Sequence, residues 1–203
     1  MRVILASASP RRKELLAQIG IQAEICPSSI EEKVSSTQPQ EVVAELSRQK
    51  AEDVYQTIEE GKKIEETESR GVVVIGADTI VVCDGKILGK PKNHEEAYRM
   101  IEGIQGRTHQ VYTGVTLIGK NEKGEESHLS FVEETDVEVY PMIAEEVLAY
   151  TSSQEPMDKA GAYGIQGSFA AYIKSIHGDY NSVVGLPVGR VFQEIKKNWG
   201  NPI

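Results

Sequence analysis

The chain has few cysteines, no long apolar run and no excess of positive charge. Its 203 residues include only two cysteines, Cys26 and Cys83, which are far apart and lie in strand-like contexts. A disulfide framework is therefore not expected, and a reducing cytoplasm is the simpler compartment. The apolar runs are much shorter than a membrane span, and the N-terminus lacks the apolar core of a signal peptide. We therefore expect a cytoplasmic protein without a membrane partner.

The net charge of −9 argues against nucleic acid as a partner, because a phosphate-backbone ligand requires a basic face. The four histidines are scattered without paired spacing, which argues against a zinc site. The chain also lacks the Gly-x₄-Gly-Lys-Ser/Thr, Gly-x-Gly-x-x-Gly and Gly-x-Ser-x-Gly patterns. Kinase, P-loop ATPase, dinucleotide oxidoreductase and serine hydrolase interpretations therefore lose support.

The order of apolar patterns favours a mixed α/β fold. Residues 72–83 are almost continuously apolar, as in a strand buried on both faces, and residues 110–118 alternate as in a half-buried strand. Other parts of the chain have helical periodicity, for example from Pro39 to about Glu59, before the first of these strands. We predict one domain over residues 1–203, with a cleft along its sheet. The charged residues from Glu59 to Arg70 predict a solvated loop.

The N-terminal stretch reads as a strand, a polar turn and a helix. Ser9 suits the N-cap and Pro10 the first helical position, and Gly20 supplies the stop. Arg11 and Arg12 would then face the positive end of the helix dipole, where cations are disfavoured. They are either a solvated pair or, with nearby hydroxyls and backbone N–H groups, part of a phosphate site.

Asp78 is unusual because it interrupts the buried strand, beside the small residues Gly76 and Ala77, which we expect to leave space around its carboxylate. An unpaired carboxylate there is costly, so it should pair with a cation, bind a metal or reach into a cleft. Lys50 is equally unusual in the apolar stripe of the long helix. Its side chain either extends to water or holds its ammonium at the base of a cleft.

Together these residues match the needs of phosphoryl-group hydrolysis. The cations are Lys50, Lys90 and the Arg11-Arg12 pair, and Glu32 adds a second carboxylate to Asp78. Cations neutralise phosphate oxygens, while carboxylates hold Mg²⁺ and orient a water for in-line attack.

From Leu5 to Pro187 the chain resembles the Maf family of nucleoside triphosphate pyrophosphatases. The shared motifs are Leu-Ala-Ser-Ala-Ser-Pro-Arg-Arg at 5–12, Glu-Glu at 31–32, Arg-Gln-Lys-Ala at 48–51, Gly-Ala-Asp-Thr at 76–79, Gly-Lys-Pro at 89–91, Asp-Lys-Ala-Gly-Ala-Tyr-Gly-Ile-Gln-Gly at 158–167 and Val-Val-Gly-Leu-Pro at 183–187. Each motif alone is weak, and their common order makes chance agreement improbable.

The resemblance implies a mixed α/β, inosine-triphosphatase-like fold with flanking helices and a cleft between two lobes. It also implies hydrolysis of the bond between the α- and β-phosphates of a nucleoside triphosphate, with a divalent cation, Mg²⁺ or Mn²⁺. Asp78 would activate water or bind the metal, and Glu32 would help to bind it. The residues that would hold the phosphates are Ser7, Ser9, Arg12, Lys50 and Lys90.

The resemblance further points to the branch that acts on dTTP and UTP, which carries Arg, Thr and Gln at three selectivity positions. Here these are Arg11, Thr79 and Gln166, where a branch acting on 7-methyl-GTP tends to carry Trp, Gln and Glu. An amide both donates and accepts hydrogen bonds, as the imide edge of uracil or thymine requires. The loop at Glu59–Arg70 is longer than the family usually has. The resemblance leaves open whether the chain forms a homodimer.

Three interpretations follow. The leading one is a pyrophosphatase that removes unwanted or modified pyrimidine nucleotides, with a link to cell-division arrest. The second is a nucleotide-binding regulator of septum formation without significant turnover. The third is a nucleotide-binding fold with an unrelated phosphatase activity. The complete set of charges favours an enzyme.

Overall fold

The apolar run at residues 72–83 forms a buried strand, as its composition predicts. In the computed structural model, which describes residues 1–62 and 71–203, this strand runs over Val72–Cys83, and only Asp78 and Thr79 are not fully buried. Gly71 and the first residues of the chain flank its start, where the Arg2 N–H donates to the Gly71 carbonyl oxygen at 2.9 Å.

The described residues contain seven strands and six α-helices. The strands are β1 (Arg2–Leu5), β2 (Glu24–Ile25), β3 (Val72–Cys83), β4 (Lys86–Leu88), β5 (Thr108–Lys120), β6 (Glu126–Val139) and β7 (Ile173–His177). The helices are α1 (Pro10–Gln18), α2 (Pro39–Lys62), α3 (His94–Ile104), α4 (Ala144–Thr151), α5 (Tyr180–Val184) and α6 (Val188–Asn198). Short 3₁₀ turns lie at Glu155–Asp158, Ala160–Ala162 and Ser168–Tyr172.

The strands form a mixed sheet in the order β2-β1-β3-β5-β6-β7, with β4 paired to β3. Strand β1 pairs in parallel with both β2 and β3, whereas β3–β4 and β6–β7 are antiparallel. The β3–β4 hairpin turns at Asp84 and Gly85, whose φ angles of 50° and 73° are those of a tight primed turn. The predicted mixed α/β class is confirmed.

The described residues divide into two compact units. The first comprises Met1–Asp78, Gly114–Val132 and Gly185–Ile203, and the second comprises Thr79–Thr113 and Glu133–Val184. In the first unit, one face of α2 packs with β1 and β3 in an apolar core that includes Ile4, Val54 and Val74. The core of the second unit includes Ile101 of α3, Val137 of β6 and Phe169. The single domain over residues 1–203 and the cleft remain predictions.

Several predicted boundaries were wrong, each for a local reason. The alternation of Ile21, Ala23 and Ile25 with polar residues predicts a strand from Ile21, but the Ile21 N–H donates to the Leu16 carbonyl oxygen at the end of α1, and β2 spans only Glu24–Ile25. The sequence also predicts a helix from Pro141 to Tyr150, but this helix begins at Ala144, because the Glu146 carboxylate accepts a hydrogen bond from the Ile143 N–H.

Two other segments also differ from expectation. Segment 158–167 has three glycines and little periodicity, which predicts an irregular loop, but it contains the 3₁₀ turn Ala160–Ala162. The predicted charged loop at Glu59–Arg70 is helical as far as Lys62, and its remaining residues, 63–70, lie outside the described residues. No helix within residues 1–62 and 71–203 is long and apolar enough to cross a membrane.

Candidate active site

The N-terminus of α1 has the features expected of an anion site. Ser9 occupies the N-cap and Pro10 the first turn, but the Ser9 side chain makes no capping hydrogen bond. The first turn contains no acidic residue. The Ser7 Oγ accepts hydrogen bonds from the Ser9 N–H at 3.2 Å and from Nη1 of Arg12 at 3.0 Å. Because the Ser7 oxygen is the acceptor in both bonds, the single hydrogen of this hydroxyl is left to donate to a third group.

Arg12 is held in place by the backbone as well as by Ser7. Its Nε donates to the Gly185 carbonyl oxygen at 2.8 Å. Gly185 has a φ of 137°, in the region that favours glycine, which explains a glycine at the turn that aims this carbonyl. Burial lowers the pKa of Arg12, the charges of Asp78 and Glu32 oppose this shift, and Arg11 adds to it. Two carboxylates and both arginines are therefore close in space.

Lys50 joins these two carboxylates. Its Nζ lies 2.5 Å from the Oδ1 of Asp78 and 3.0 Å from the Oε1 of Glu32. The side chains of Lys50 and Asp78 are only 15% and 16% exposed, whereas that of Glu32 is 47% exposed. Of the two arrangements considered for Lys50, extension to water is wrong, because its ammonium is paired with Asp78 and Glu32 and its side chain is largely shielded from solvent.

A close approach of α2 to β3 brings Lys50 to Asp78. A Cβ added at Gly76 would lie 2.2 Å from the Ser47 carbonyl oxygen and 2.8 Å from the backbone nitrogen of Ala51. These distances are far below van der Waals contact, so only glycine fits at this position. Gly76 was expected to leave space around the Asp78 carboxylate. It instead makes room for the helix backbone, and the pair follows from that contact.

The donor set of Glu32 and Asp78 suits a hard divalent cation. Within residues 1–62 and 71–203, no group of three or more His, Cys, Asp or Glu side chains is arranged to hold a metal ion. Mg²⁺ is commonly bound through one or two carboxylates, with water and substrate phosphates filling the other positions. The two carboxylates that share Lys50 therefore offer the kind of oxygen ligands that such a cation uses.

Thr79 follows Asp78 in β3 and belongs to the second unit. Its Oγ1 lies 2.9 Å from the Oγ1 of Thr113, which itself donates to the Ser182 carbonyl oxygen at 2.8 Å. Because the single hydrogen of Thr113 is used on Ser182, Thr79 must donate to Thr113. This chain of bonds fixes the direction of the Thr79 hydroxyl.

Lys90 lies on an exposed loop, between Gly89 and the buried Pro91. The Gly89 carbonyl oxygen accepts a hydrogen bond from the Gly161 N–H at 3.0 Å. Gly161 has a φ of 67°, and an added Cβ there would meet the Val81 side chain at 2.8 Å. The loop that carries Lys90 is therefore fastened to the start of the glycine-rich segment that carries Gln166.

Gln166 is exposed at a tight turn closed by the Gly167 N–H and the Gly164 carbonyl oxygen at 3.1 Å. Before the turn, the buried Tyr163 hydroxyl lies 2.7 Å from Nε2 of His109. After it, the Glu155 carboxylate accepts hydrogen bonds from the Ser168 N–H at 3.0 Å and the Ser168 hydroxyl at 2.6 Å. The amide of Gln166 is thus presented by a segment anchored on both sides.

The prediction missed three residues that hold site groups in place. Glu155 anchors the Gln166 turn, Gln49 binds the backbone beside Glu32, and the Gly185 carbonyl binds Arg12. The sequence pointed to Gln49 and Gly185 only in that they lie inside the family motifs at 48–51 and 183–187. The contacts themselves are distant in sequence, and no local pattern indicates them.

Comparison with known proteins gives a consistent result. The Maf-like protein family matches residues 2–198. A protein of Agathobacter rectalis named dTTP/UTP pyrophosphatase is 52% identical over 198 residues, covering 97% of each chain. Proteins with the same name from Carboxydothermus hydrogenoformans and Lachnoclostridium phytofermentans are 49% and 47% identical, covering 98% and 97% of this chain and 100% and 94% of theirs.

A solved structure of a nucleoside-triphosphatase, dITP/XTP pyrophosphatase, from Mycobacterium abscessus overlaps with 68% of this chain and 74% of its own. The TM-score is 0.29 and the sequence identity is 15%, which is too little to support an argument about fold or function.

Proposed function

The chain belongs to the Maf-like protein family, and we propose that it hydrolyses dTTP and UTP to the nucleoside monophosphate and pyrophosphate. The proposal is supported by the shared name of relatives that are 43–52% identical over nearly the whole chain. Its compartment would be the cytoplasm, in keeping with two free cysteines, Cys26 and Cys83.

The observation that carries the proposal is the contact of one ammonium with two carboxylates. Lys50 binds Asp78 and Glu32, and the electrostatic effect of both carboxylates reaches Arg12. A purely structural ion pair requires one partner of each sign. Here two carboxylates contact Lys50 and influence Arg12, which lies in the first turn of α1. This resembles the charge arrangement needed for a phosphate chain with its metal.

In this proposal Glu32 and Asp78 hold Mg²⁺ or Mn²⁺ together with the phosphates. The bound cation would neutralise phosphate charge and favour displacement at phosphorus. Asp78 either binds this metal or accepts the proton of the attacking water. Lys50 would then stay beside Asp78 and hold its carboxylate in one orientation.

The remaining predicted residues divide between phosphate and base. Ser7, Ser9 and Arg12 lie at one helix N-terminus and would bind phosphate oxygens, and Lys90 would add a further cation. Arg11, Thr79 and Gln166 would select the base. The Gln166 amide can both donate and accept, which fits the imide edge of uracil and thymine.

The test is product analysis after incubation of the pure protein and Mg²⁺ with UTP, dTTP, CTP, ATP and GTP. We expect UTP and dTTP to give monophosphate and pyrophosphate faster than the other three are consumed. Absence of turnover with every triphosphate would contradict an enzyme and favour a nucleotide-binding regulator. Diphosphate with orthophosphate would indicate a different phosphatase activity.

A further inference from the structure

An irregular segment that carries Glu32 is fastened along helix α2 by three side chains. Glu45, Gln49 and Asp53 are spaced four residues apart and therefore share one face of the helix. Asp53 accepts from the Ser28 hydroxyl at 2.7 Å and the Ser29 N–H at 3.1 Å. Glu45 accepts from the Ser35 N–H at 2.9 Å and from its hydroxyl. The three anchors span the segment from residue 28 to residue 35.

The central anchor, Gln49, uses both ends of its amide on one residue. Its Oε1 accepts from the Lys33 N–H at 3.0 Å, and its Nε2 donates to the Lys33 carbonyl oxygen at 2.6 Å. A neighbouring β-strand would offer the same pair of hydrogen bonds from its backbone, whereas here the Gln49 side chain provides both. A glutamate at this position could accept from the N–H but could not donate to the carbonyl.

This contact lies directly beside the candidate site. Lys33 follows Glu32 in the chain, and Gln49 precedes Lys50, whose ammonium lies 3.0 Å from the Glu32 carboxylate. The segment has no helix or strand of its own at residues 26–36, and Glu32 is half exposed. Its position therefore depends on side-chain anchors, and the Gln49 anchor is the one next to Glu32.

We propose that Gln49 is a positioning residue that holds the Glu32 carboxylate beside Lys50 and Asp78. Both ends of its amide bind the backbone of Lys33, so it would act through that backbone and not directly on the phosphates or the metal. The inference rests on the proposed function in one respect only, namely that Glu32 contributes to binding of a metal–nucleotide complex. Residues that orient metal ligands typically change metal affinity by 10–100-fold when removed.

The test uses Gln49→Ala and Gln49→Glu, with Gln56→Ala as the control, since Gln56 is exposed on the same helix. We expect both Gln49 variants to speed hydrogen exchange in a peptide covering residues 30–36. Gln49→Ala removes the acceptor of the Lys33 N–H, and Gln49→Glu places a carboxylate oxygen against the Lys33 carbonyl oxygen, which disturbs the remaining hydrogen bond. We also expect the Mg²⁺ concentration for half-maximal UTP hydrolysis to rise about tenfold. Gln56→Ala should change neither quantity.

A double-mutant cycle separates positioning from general stability. In a Glu32→Gln background, Gln49→Ala should add little further change in Mg²⁺ dependence, because the group it positions is already disabled. Full additivity of the two substitutions would overturn the proposal. So would faster exchange at residues 30–36 with an unchanged Mg²⁺ requirement, which would make the anchor structural only.

A second readout keeps this inference distinct from the proposed function. Calorimetry with Mn²⁺ and α,β-methylene-UTP, which cannot be cleaved at the α–β bond, measures the same cycle by binding. If the wild-type protein shows no turnover, the proposed activity fails. The positioning role would still be supported if Gln49→Ala weakens binding in the wild-type background but not in the Glu32→Gln background. Equal binding by wild type and Gln49→Ala would contradict it.

Discussion

The ammonium of Lys50 lies 2.5 Å from the carboxylate of Asp78, although the two residues are on different elements and 28 positions apart. The pair exists because Gly76 lets α2 approach β3 at backbone distance. Glu32 reaches the same ammonium from an irregular segment. The ion pair therefore depends both on the charges of these three residues and on the close packing of α2 against β3 at Gly76.

Removing Lys50 should destabilise the protein. Lys50→Met leaves two carboxylates close together with no ammonium between them, and we expect the free energy of unfolding to fall by about 2 kcal/mol at pH 7. Urea unfolding measures this change. Lys13→Met, at an exposed position of α1, is the control and should have an effect below about 0.5 kcal/mol. Equal losses in the two variants would mean that the ion pair contributes nothing measurable.

Gly76 should tolerate no side chain. In Gly76→Ala the new Cβ would collide with the Ser47 carbonyl oxygen and with Ala51, so helix and strand must separate at a cost of about 3 kcal/mol. Gly103→Ala is the matched control, because Gly103 lies in α3 and an added Cβ there has no neighbour within 4 Å. That variant should be neutral or more stable by about 0.5–1 kcal/mol. Thermal and urea unfolding of both variants measure these changes. A Gly76→Ala protein as stable as Gly103→Ala, or more stable, would contradict the close approach of α2 to β3.

Gln166 should govern the choice of base. Gln166→Glu keeps the acceptor and loses the donor, and we expect kcat/KM for UTP to fall about 10–100-fold with little change in thermal stability. Gln154→Glu, also exposed and nearby in the sequence, supplies the same charge change as a control. An unchanged substrate profile in Gln166→Glu would remove this residue from base selection.

Buried His109 should make the protein less stable in mild acid. Its side chain is 0% exposed, and burial lowers the pKa of His109 to about 4, while Asp136 opposes the shift. In the unfolded chain this histidine takes up a proton near pH 6.5, whereas in the folded chain it stays neutral. The free energy of unfolding should therefore fall as pH decreases from 6.5 to 4, by about 3 kcal/mol, and level off below that range.

Urea unfolding at several pH values tests this dependence. His109→Gln cannot titrate and should show a flatter profile between pH 6.5 and 4 than the wild type. His177→Gln, which replaces an exposed histidine in β7, should keep the wild-type slope. If the slope of His109→Gln matches that of the wild type, His109 does not carry the acid sensitivity.

Local signals in the sequence were sufficient to predict much of the fold. Ser9, Pro10 and Gly20 bracket α1, and Asp84-Gly85, a dipeptide that favours hairpin turns, forms one. Asn93 followed three residues later by Glu96 is a typical helix start, and the Asn93 side chain caps α3 by accepting from the Glu96 N–H at 2.8 Å. Each of these features is decided within four or five residues, so the pattern and the structure agree.

The site was less predictable because its contacts are distant in sequence. Periodicity placed Lys50 in an apolar stripe but could not identify Asp78 as its partner, since that depends on how α2 lies on β3. The placement of Glu32 depends on a segment without regular structure, held by Gln49. The family motifs supplied the candidate site residues, whereas their geometry required the fold.

The most direct test of the proposed activity compares UTP hydrolysis by the wild type and by Asp78→Asn, with Mg²⁺ present and all products identified. We expect uridine monophosphate and pyrophosphate from the wild type. Asp78→Asn should lose at least about 100-fold in turnover, because the amide can neither accept the proton of water nor bind the metal as a carboxylate. The variant should still bind the nucleotide through the cations. A turnover near the wild-type rate in Asp78→Asn, or products other than monophosphate and pyrophosphate, would contradict the account.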